Sequence, residues 1–187
     1  MVRAFTGQPV PDPVLRTILD AAQRSPTAGN TDGWALVVLR GAETAGFWQA
    51  TTTDAWRASA RRWPGLAAAP VVIAVFASPD RYRARYAEPD KAASGLDRAE
   101  WPVPYWFVDA GQVVLTLLLA ATEAGLGSCF LGNFRGEESL VAALGVPTGW
   151  RYAGAVLLGE AAGDDPVSSS LRRTWRQTDD AVHYGRW

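Results

Sequence analysis

A short polar loop is the part of this sequence best suited to hold a flat, polar molecule. The stretch from Ser25 to Asn30 reads Ser-Pro-Thr-Ala-Gly-Asn and separates a helical pattern from an apolar strand pattern that starts at Trp34. Its hydroxyl, amide and backbone N–H groups can form hydrogen bonds at short range. The alternative is an ordinary turn after a helix, because proline, glycine and asparagine are all common in turns.

Side chains for nucleophilic or metal catalysis are scarce. One cysteine, Cys129, and one histidine, His183, exclude an internal disulfide and argue against a structural zinc site. A triad of His183 and Asp179 with Ser128 or Cys129 is disfavoured, because Cys129 lies in an apolar segment where it packs as a small hydrophobe. The glycines at 125 and 127 follow a helix pattern, which is the wrong context for a Rossmann fingerprint. We therefore assign no catalytic side chain and no metal, and expect any redox chemistry to come from a cofactor.

Composition fits one globular domain that spans residues 1–187. The chain is 48% apolar and carries a formal net charge of -1, so no broad basic surface indicates nucleic acid or an acidic membrane. The longest apolar run, from Val113 to Ala121, is shorter than the roughly 20 residues that cross a bilayer, and no signal-peptide pattern is present. We expect a cytoplasmic protein.

Periodicity predicts an α+β order of elements without internal repeats. Helices are predicted over 13–24, from 41 to about Pro64, over 109–124 and over 137–144, and strands over 34–40, 70–77, 129–131 and 152–159. The segment 79–106 is predicted to be a partly helical surface excursion. The arginine-rich tail, 161–187, ends on Tyr184 and Trp187 and is expected to dock on the domain. The helix from Asp109 is apolar almost all round, which predicts burial inside the domain or against another subunit.

Several weak motifs, taken together in their order and spacing, resemble the flavin-dependent nitroreductase family over nearly the whole chain. The motifs are Val2-Arg3-Ala4-Phe5, Ser25-Pro26-Thr27-Ala28-Gly29-Asn30, Gly33-Trp34, Asp109-Ala110-Gly111-Gln112, Gly125-Leu126-Gly127-Ser128, Leu131-Gly132-Asn133-Phe134, Leu144-Gly145-Val146-Pro147 and Leu157-Leu158-Gly159. The resemblance implies a nitroreductase-like α+β fold with a central mixed, mostly antiparallel sheet flanked by helices. It also implies a homodimer that binds flavin mononucleotide (FMN) noncovalently at its interface.

The same resemblance implies a set of cofactor-binding residues. Arg3 and arginines of the tail would bind the FMN phosphate, the early loop would lie along the isoalloxazine edge, and a backbone N–H after the third strand would approach flavin N5. The residues concerned are Arg3, Arg172, Arg173 and Arg176 for the phosphate, Ser25, Pro26, Thr27 and Asn30 for the ring edge, and Leu131, Gly132 and Asn133 for N5. Aromatic side chains that could cover the pocket, or simply pack, are Trp101, Tyr105, Trp106 and Phe107.

The implied activity is transfer of a hydride from NAD(P)H through the flavin to a nitroaromatic, a quinone or a similar small acceptor. Three alternatives stay open: oxidation of a small peptide or natural product, a flavin-binding protein without turnover, and a deazaflavin in place of FMN. Relatives carry an Arg-Arg-Ser element just before the stretch that matches Val2-Arg3, whereas this sequence starts at Met1. We therefore expect in-frame codons upstream of Met1 to encode arginine and serine.

Overall fold

The computed structural model describes residues 1–95, 101–132, 135–163, 174, 177–178 and 181–187. The helices are α1 Asp12–Ala22, α2 Thr44–Thr51, α3 Asp54–Ser59, α4 Trp63–Ala67, α5 Pro79–Tyr86, α6 Tyr105–Glu123 and α7 Glu137–Ala143. The strands are β1 Trp34–Arg40, β2 Val71–Ala77, β3 Gly127–Leu131 and β4 Arg151–Gly159. Short 3-10 turns occupy Ala28–Asn30, Gly41–Glu43 and Ala92–Ser94.

The four strands form one sheet in the order β1-β2-β4-β3. Every neighbouring pair is antiparallel in the described part of the chain, so the mixed character implied by the resemblance is not found there. The α+β class and the flanking helices are confirmed. The central strand β2 is buried at every position because helices cover both of its faces, as its apolar, β-branched sequence predicts.

Alternate residues of β2 face two separate apolar layers. Val71, Ile73 and Val75 pack in the layer that contains α1 and α6. Val72, Ala74 and Phe76 pack in the other layer, together with side chains of α2, α7 and the N-terminal segment. The period of two along a strand therefore assigns each functional segment to one side of the sheet.

The single helix predicted between residue 41 and Pro64 is wrong, since three short helices occupy this stretch. The chain is extended at Thr52 and Thr53, and the Thr53 hydroxyl caps α3 by accepting a hydrogen bond from the backbone N–H of Trp56 at 3.1 Å. Pro64 lies in the first turn of α4, where a proline needs no N–H partner. Pro64 thus helps to begin α4, whereas the sequence pattern predicts that Pro64 ends the preceding helix.

The segment predicted as a surface excursion contains α5, and its Tyr82 is fully buried. The following helix, α6, begins at Tyr105, earlier than the predicted Asp109. With 19 residues and a mean hydropathy of 1.4, α6 meets the length and composition of a membrane-crossing helix. One face of it packs on α1 and the sheet, and its other face is exposed in the single chain.

The N-terminal segment joins the sheet at the end where β3 begins. The backbone N–H of Val2 donates to Ser128 O at 2.8 Å, and Phe5 forms an isolated antiparallel bridge with Ala161. The start of the tail is therefore attached to the N-terminal segment. Tyr184 and Trp187 are 90% and 95% exposed in the single chain, so their docking stays a prediction.

Candidate functional site

The Ser25–Asn30 loop forms a tight, well-anchored turn. Gly29 and Asn30 both have positive φ, at 66° and 53°, and Asn30 and Pro26 are exposed to solvent. Asparagine tolerates the left-handed region better than most residues, so Asn30 can hold this conformation. The Ser25 hydroxyl is directed inward and donates to the hydroxyl of Thr116 on α6 at 2.9 Å. The loop thus presents Pro26 and Asn30 outward, while Ser25 attaches it to α6.

A buried carboxylate lies directly beneath this loop. Asp109 is 2% exposed, and its Oδ2 accepts hydrogen bonds from the backbone N–H of Ala28 and from the hydroxyl of Tyr82, each at 2.7 Å. Its Oδ1 accepts from the amide of Gln112 at 3.2 Å. Burial, together with the hydrogen bond to Asp109 and its negative charge, raises the pKa of Tyr82 far above its ordinary value, so Tyr82 remains a donor.

Gly29 of the loop and Gly33, three residues after the loop, lie close to the rings of tyrosines on α5. A Cβ at Gly33 would lie 2.2 Å from the ring of Tyr82, and a Cβ at Gly29 would lie 2.9 Å from the ring of Tyr86. Only glycine allows this close approach. Arg85 also donates from Nε to the carbonyl of Gly29 at 2.8 Å, so α5 determines the path of the loop.

Arg3 lies on the other side of the sheet, beside α4 and the start of β3. A Cβ at Gly65 would lie 2.7 Å from the carbonyl oxygen of Arg3, which shows how closely the N-terminal segment packs on α4. Arg3 itself is half-buried. It follows Val2, which packs against the apolar layer formed by Phe47, Trp48 and Leu66.

Leu131 and Gly132 line a cavity of about 500 Å³ in that same layer. Its remaining walls include Trp48, Trp56, Leu66 and Arg135, along with backbone and side chains of 50–53 and 136. A Cβ added at Gly132 would meet nothing within 4 Å, so the space beside this glycine is open. Arg135 and the two tryptophans were missed by the sequence analysis, although an arginine so close to Gly132 could have indicated a binding role.

The indole N–H of Trp48 is buried beside this cavity without a hydrogen-bond acceptor, the sole such side-chain atom among the described residues. Buried donors are nearly always paired, so an unpaired one at a cavity wall calls for an explanation. The nitrogen is enclosed by protein, so a ligand in the cavity does not reach it in this conformation. The cavity therefore combines aromatic walls, a glycine with free space and a cation.

The structure brings only some of the predicted site residues together. Arg3, Leu131 and Gly132 lie on the α2 and α7 side of the sheet, and α4 contributes Leu66 to the cavity beside them. The loop residues Ser25, Pro26, Thr27 and Asn30 lie on the other side, attached to α6. Asn133 and the tail arginines Arg172, Arg173 and Arg176 lie outside the described residues.

Arg3 and the loop also lie at opposite ends of the sheet, whereas Leu131 is opposite Ala155 and hence level with Ala74, near the middle of β2. The loop leads into Trp34, which is opposite Ala77 at the end of β2. Val2, the residue before Arg3, bonds to Ser128 at the start of β3, and Ser128 is opposite Leu158, which is opposite Val71 at the start of β2. The seven residues of β2 separate these ends by about 20 Å at roughly 3.3 Å per residue. One chain therefore does not place both groups around one ligand.

The aromatic residues predicted as a possible cover form a packed cluster on α5. The ring of Trp101 lies 4.8 Å from that of Tyr86 and 6.0 Å from that of Tyr82, and Trp106 lies 6.3 Å from Tyr82. Tyr105 and Phe107 extend the cluster, at 6.0 Å from Trp101 and 6.4 Å from Trp106. Their observed contacts are with the tyrosines that support the loop.

Comparisons with known proteins agree with this architecture. The model of the nitroreductase family matches residues 1–160. An NADH dehydrogenase from Thermus thermophilus is 29% identical over 91% of this chain and 86% of its own length. A putative NADH dehydrogenase/NAD(P)H nitroreductase from Archaeoglobus fulgidus is 27% identical over 100% of this chain and 92% of its own.

The fold also matches solved structures. A putative nitroreductase from Desulfovibrio desulfuricans, crystallised in complex with FMN, superimposes with a TM-score of 0.70 at 21% identity, covering 100% of this chain and 91% of the other. At that identity the likeness establishes the fold alone. Combined with the family match over most of the chain, it confirms the motif resemblance, and the protein belongs to the nitroreductase family.

Proposed function

We propose that this protein is an FMN-dependent oxidoreductase of the nitroreductase type. The observation that carries the proposal is the cavity of about 500 Å³ at Leu131 and Gly132, with aromatic walls, Arg135 at its rim and Arg3 on the same side of the sheet. Its volume lies in the range of small-molecule sites, roughly 300 to 1,000 Å³. The chemistry that FMN supplies when bound is passage of a hydride from NAD(P)H through N5 to a nitroaromatic, a quinone or a similar acceptor.

The residues present fit a flavin. Trp48, Trp56, Leu66 and Leu131 offer apolar surface for a flat ring. Arg3 would bind the phosphate, because a guanidinium pairs with phosphate oxygens through two parallel hydrogen bonds. The predicted tail arginines would add to this charge. The backbone N–H groups at Leu131, Gly132 and Asn133 would stabilise charge on the reduced ring.

We further propose that the working unit is a homodimer. The Ser25–Asn30 loop and Arg3 lie on opposite sides and at opposite ends of one sheet, so a flavin that contacts both must lie between two chains. The exposed face of α6 is apolar: Phe107, Val108, Leu115 and Leu119 are 37%, 43%, 55% and 61% exposed. Two of them, Phe107 and Leu115, line an apolar cleft of about 480 Å³ that Phe130 and Tyr152 complete.

The occupant that suits this face is a second copy of the chain. A contiguous apolar helix face on a folded domain is typical of a subunit interface. Asp109 and Thr116 of the same helix hold the Ser25–Asn30 loop. Pairing through α6 would thus bring each loop close to the partner chain.

An anaerobic absorption experiment tests the proposed activity. The purified protein, reconstituted with FMN, should show a flavin spectrum that bleaches when NADH or NADPH is added and recovers with a quinone or nitroaromatic. Failure to retain FMN would overturn the proposal. Reduction by an organic substrate but by neither nicotinamide would favour the tailoring alternative, and absence of any reduction would favour a binding protein without turnover.

A further inference from the structure

The Ser25–Asn30 loop is expected to contact flavin, whereas Asp109 is not. The buried carboxylate of Asp109 nevertheless lies directly beneath this loop. Among the residues that the structure describes, no cation forms an ion pair with it, and three donors surround it. A buried carboxylate is costly unless hydrogen bonds replace its hydration. The three donors therefore replace water around the buried carboxyl oxygens.

The donors come from three separate parts of the chain. Ala28 belongs to the early loop, Tyr82 belongs to α5, and Gln112 lies one turn after Asp109 on α6. Hydrogen bonds to a charged acceptor are stronger than neutral ones. Asp109 therefore ties the backbone of the loop to two helices at once.

We propose that Asp109 and Tyr82 are positioning residues that hold the Ser25–Asn30 loop in the conformation that contacts flavin. This inference rests on the proposed function, because it assumes that the loop lies along the isoalloxazine edge. The bond to Ala28 lies two residues from Pro26 and two residues from Asn30, the exposed members of the loop. Loss of it weakens the support of the exposed part of the loop, while Ser25 stays bound to Thr116 and Gly29 stays bound to Arg85.

Tyr82→Phe is the most selective variant. It removes the hydroxyl that donates to Asp109 and keeps the ring that lies against Gly33. Tyr86→Phe is its matched control, because Tyr86 lies one turn further along α5, its ring lies against Gly29, and its hydroxyl makes no hydrogen bond within the described residues. Both variants delete one oxygen atom from the same helix.

The readouts are the dissociation constant of FMN and the visible circular dichroism of the bound flavin at saturating FMN. For Tyr82→Phe we expect a dissociation constant about threefold to thirtyfold higher, less than the roughly ten- to hundredfold for loss of a direct charge-assisted contact, because Tyr82 acts on flavin only through the loop. We also expect a changed dichroism band and faster hydrogen exchange at the Ala28 amide. Tyr86→Phe should match the wild type in all three measurements.

A merely structural role for Tyr82 would lower the melting temperature but leave the dichroism of the saturated flavin unchanged, and that result would overturn the inference. Asp109→Asn should have a larger effect in the same direction. If either variant fails to fold, Gln112→Met removes one donor at a partly exposed position and should still raise the FMN dissociation constant above that of Tyr86→Phe. If every folded variant bound FMN with wild-type affinity, the inference would be contradicted and the proposed function would not be affected. If the wild-type protein bound no FMN, both the proposed function and the inference would be contradicted.

Discussion

Asn30 is the one non-glycine residue with positive φ in the described part of the chain, and it is exposed. A left-handed backbone at a polar, exposed residue costs free energy unless its surroundings stabilise it. Those surroundings are visible: Asp109 holds Ala28, and Arg85 holds Gly29. At the scale of single residues, the conformation of the loop is held by Asp109 and Arg85, which are not among the residues expected to contact flavin.

Gly132 offers a direct test of the cavity. Gly132→Ala adds a methyl group to open space at a residue without positive φ, so the melting temperature should stay close to that of the wild type. If the backbone at Gly132 must approach flavin N5, anaerobic reduction by NADH or NADPH should slow by about tenfold or more, because small misplacements of a reacting group cost large factors in rate. Stopped-flow absorbance measures this.

Gly46→Ala is the control for that change, since Gly46 lies on α2 and its added methyl group also meets nothing within 4 Å. It should reduce at the wild-type rate. Equal rates for both variants and the wild type would show that Gly132 is not near the reacting atoms.

Substitution of Arg3 tests whether this residue binds the FMN phosphate. Arg3→Ala should raise the FMN dissociation constant by about ten- to a hundredfold, equivalent to roughly 1.5 to 3 kcal/mol for one charge-assisted contact. Fluorescence titration of the apoprotein with FMN measures it. Arg16→Ala, which removes an exposed arginine on α1, should leave the affinity unchanged. If Arg3→Ala bound FMN as tightly as Arg16→Ala, the assignment of Arg3 to the phosphate would be contradicted.

At the scale of elements, α6 shows how one helix serves two surfaces. Its sequence is apolar nearly all round, but packing sorts it into a buried face with Val113 and Leu117 and an exposed face with Leu115 and Leu119. Periodicity alone does not distinguish these faces, because both are apolar. The helix that supports the loop is thereby also the helix that carries the proposed interface.

The contact between α7 and β4 predicts a pH dependence of stability. Glu137 accepts hydrogen bonds from Arg151 Nε at 2.8 Å and from the backbone N–H of Tyr152 at 3.0 Å, and these hold the pKa of Glu137 below its ordinary value. Because its pKa is lower in the folded state, the unfolded chain takes up the proton first as pH falls. This stabilisation is present above about pH 4.3, the ordinary pKa of glutamate, and is lost as pH falls through the folded pKa.

Glu137→Gln should therefore be less stable than the wild type at neutral pH, by less than about 1 kcal/mol because the pair is partly exposed. The difference in free energy of unfolding should shrink in acid, as measured by urea titration at several pH values. Glu138→Gln, on the same helix without a hydrogen-bond partner in the described residues, should show no such trend. A difference that persists undiminished in acid would contradict the assignment.

At the scale of the whole molecule, the sheet separates the two halves of the proposed site. Arg3 and the cavity lie on one side and the loop lies on the other, and the length of β2 separates the loop from Arg3. A second chain is thus part of the proposal, because the fold of one chain does not close the site.

Leu119→Glu tests the dimer. Leu119 is 61% exposed on α6, and a charge buried there without a partner should weaken the association of two chains. We expect the variant to sediment as a monomer and to retain less than about half of the FMN that the wild type binds per chain, since loss of either half of a shared site removes most of its affinity. Ala142→Glu, at an exposed position of α7, should remain dimeric. A dimeric, flavin-loaded Leu119→Glu variant would exclude α6 as the interface.

Much of this protein was determined by local features of the sequence. The bounds of β1, the apolar strand β2 and the family itself followed from alternation, apolar runs and the order of short motifs, because each depends on residues close together in the chain. The break of 41–64 into three helices did not follow, since the cap at Thr53 and the position of Pro64 in a first turn compete with a continuous helical pattern.

Only the tertiary structure decided how the loop is held and which predicted residues meet. Asp109 and Tyr82 are 27 positions apart, and Ala28 is 81 positions from Asp109, so their hydrogen bonds leave no local pattern. The sequence identified the loop as a binding element. Its support by a buried charge, and its separation from Arg3 by the full length of the sheet, arise from packing between segments that are distant along the chain.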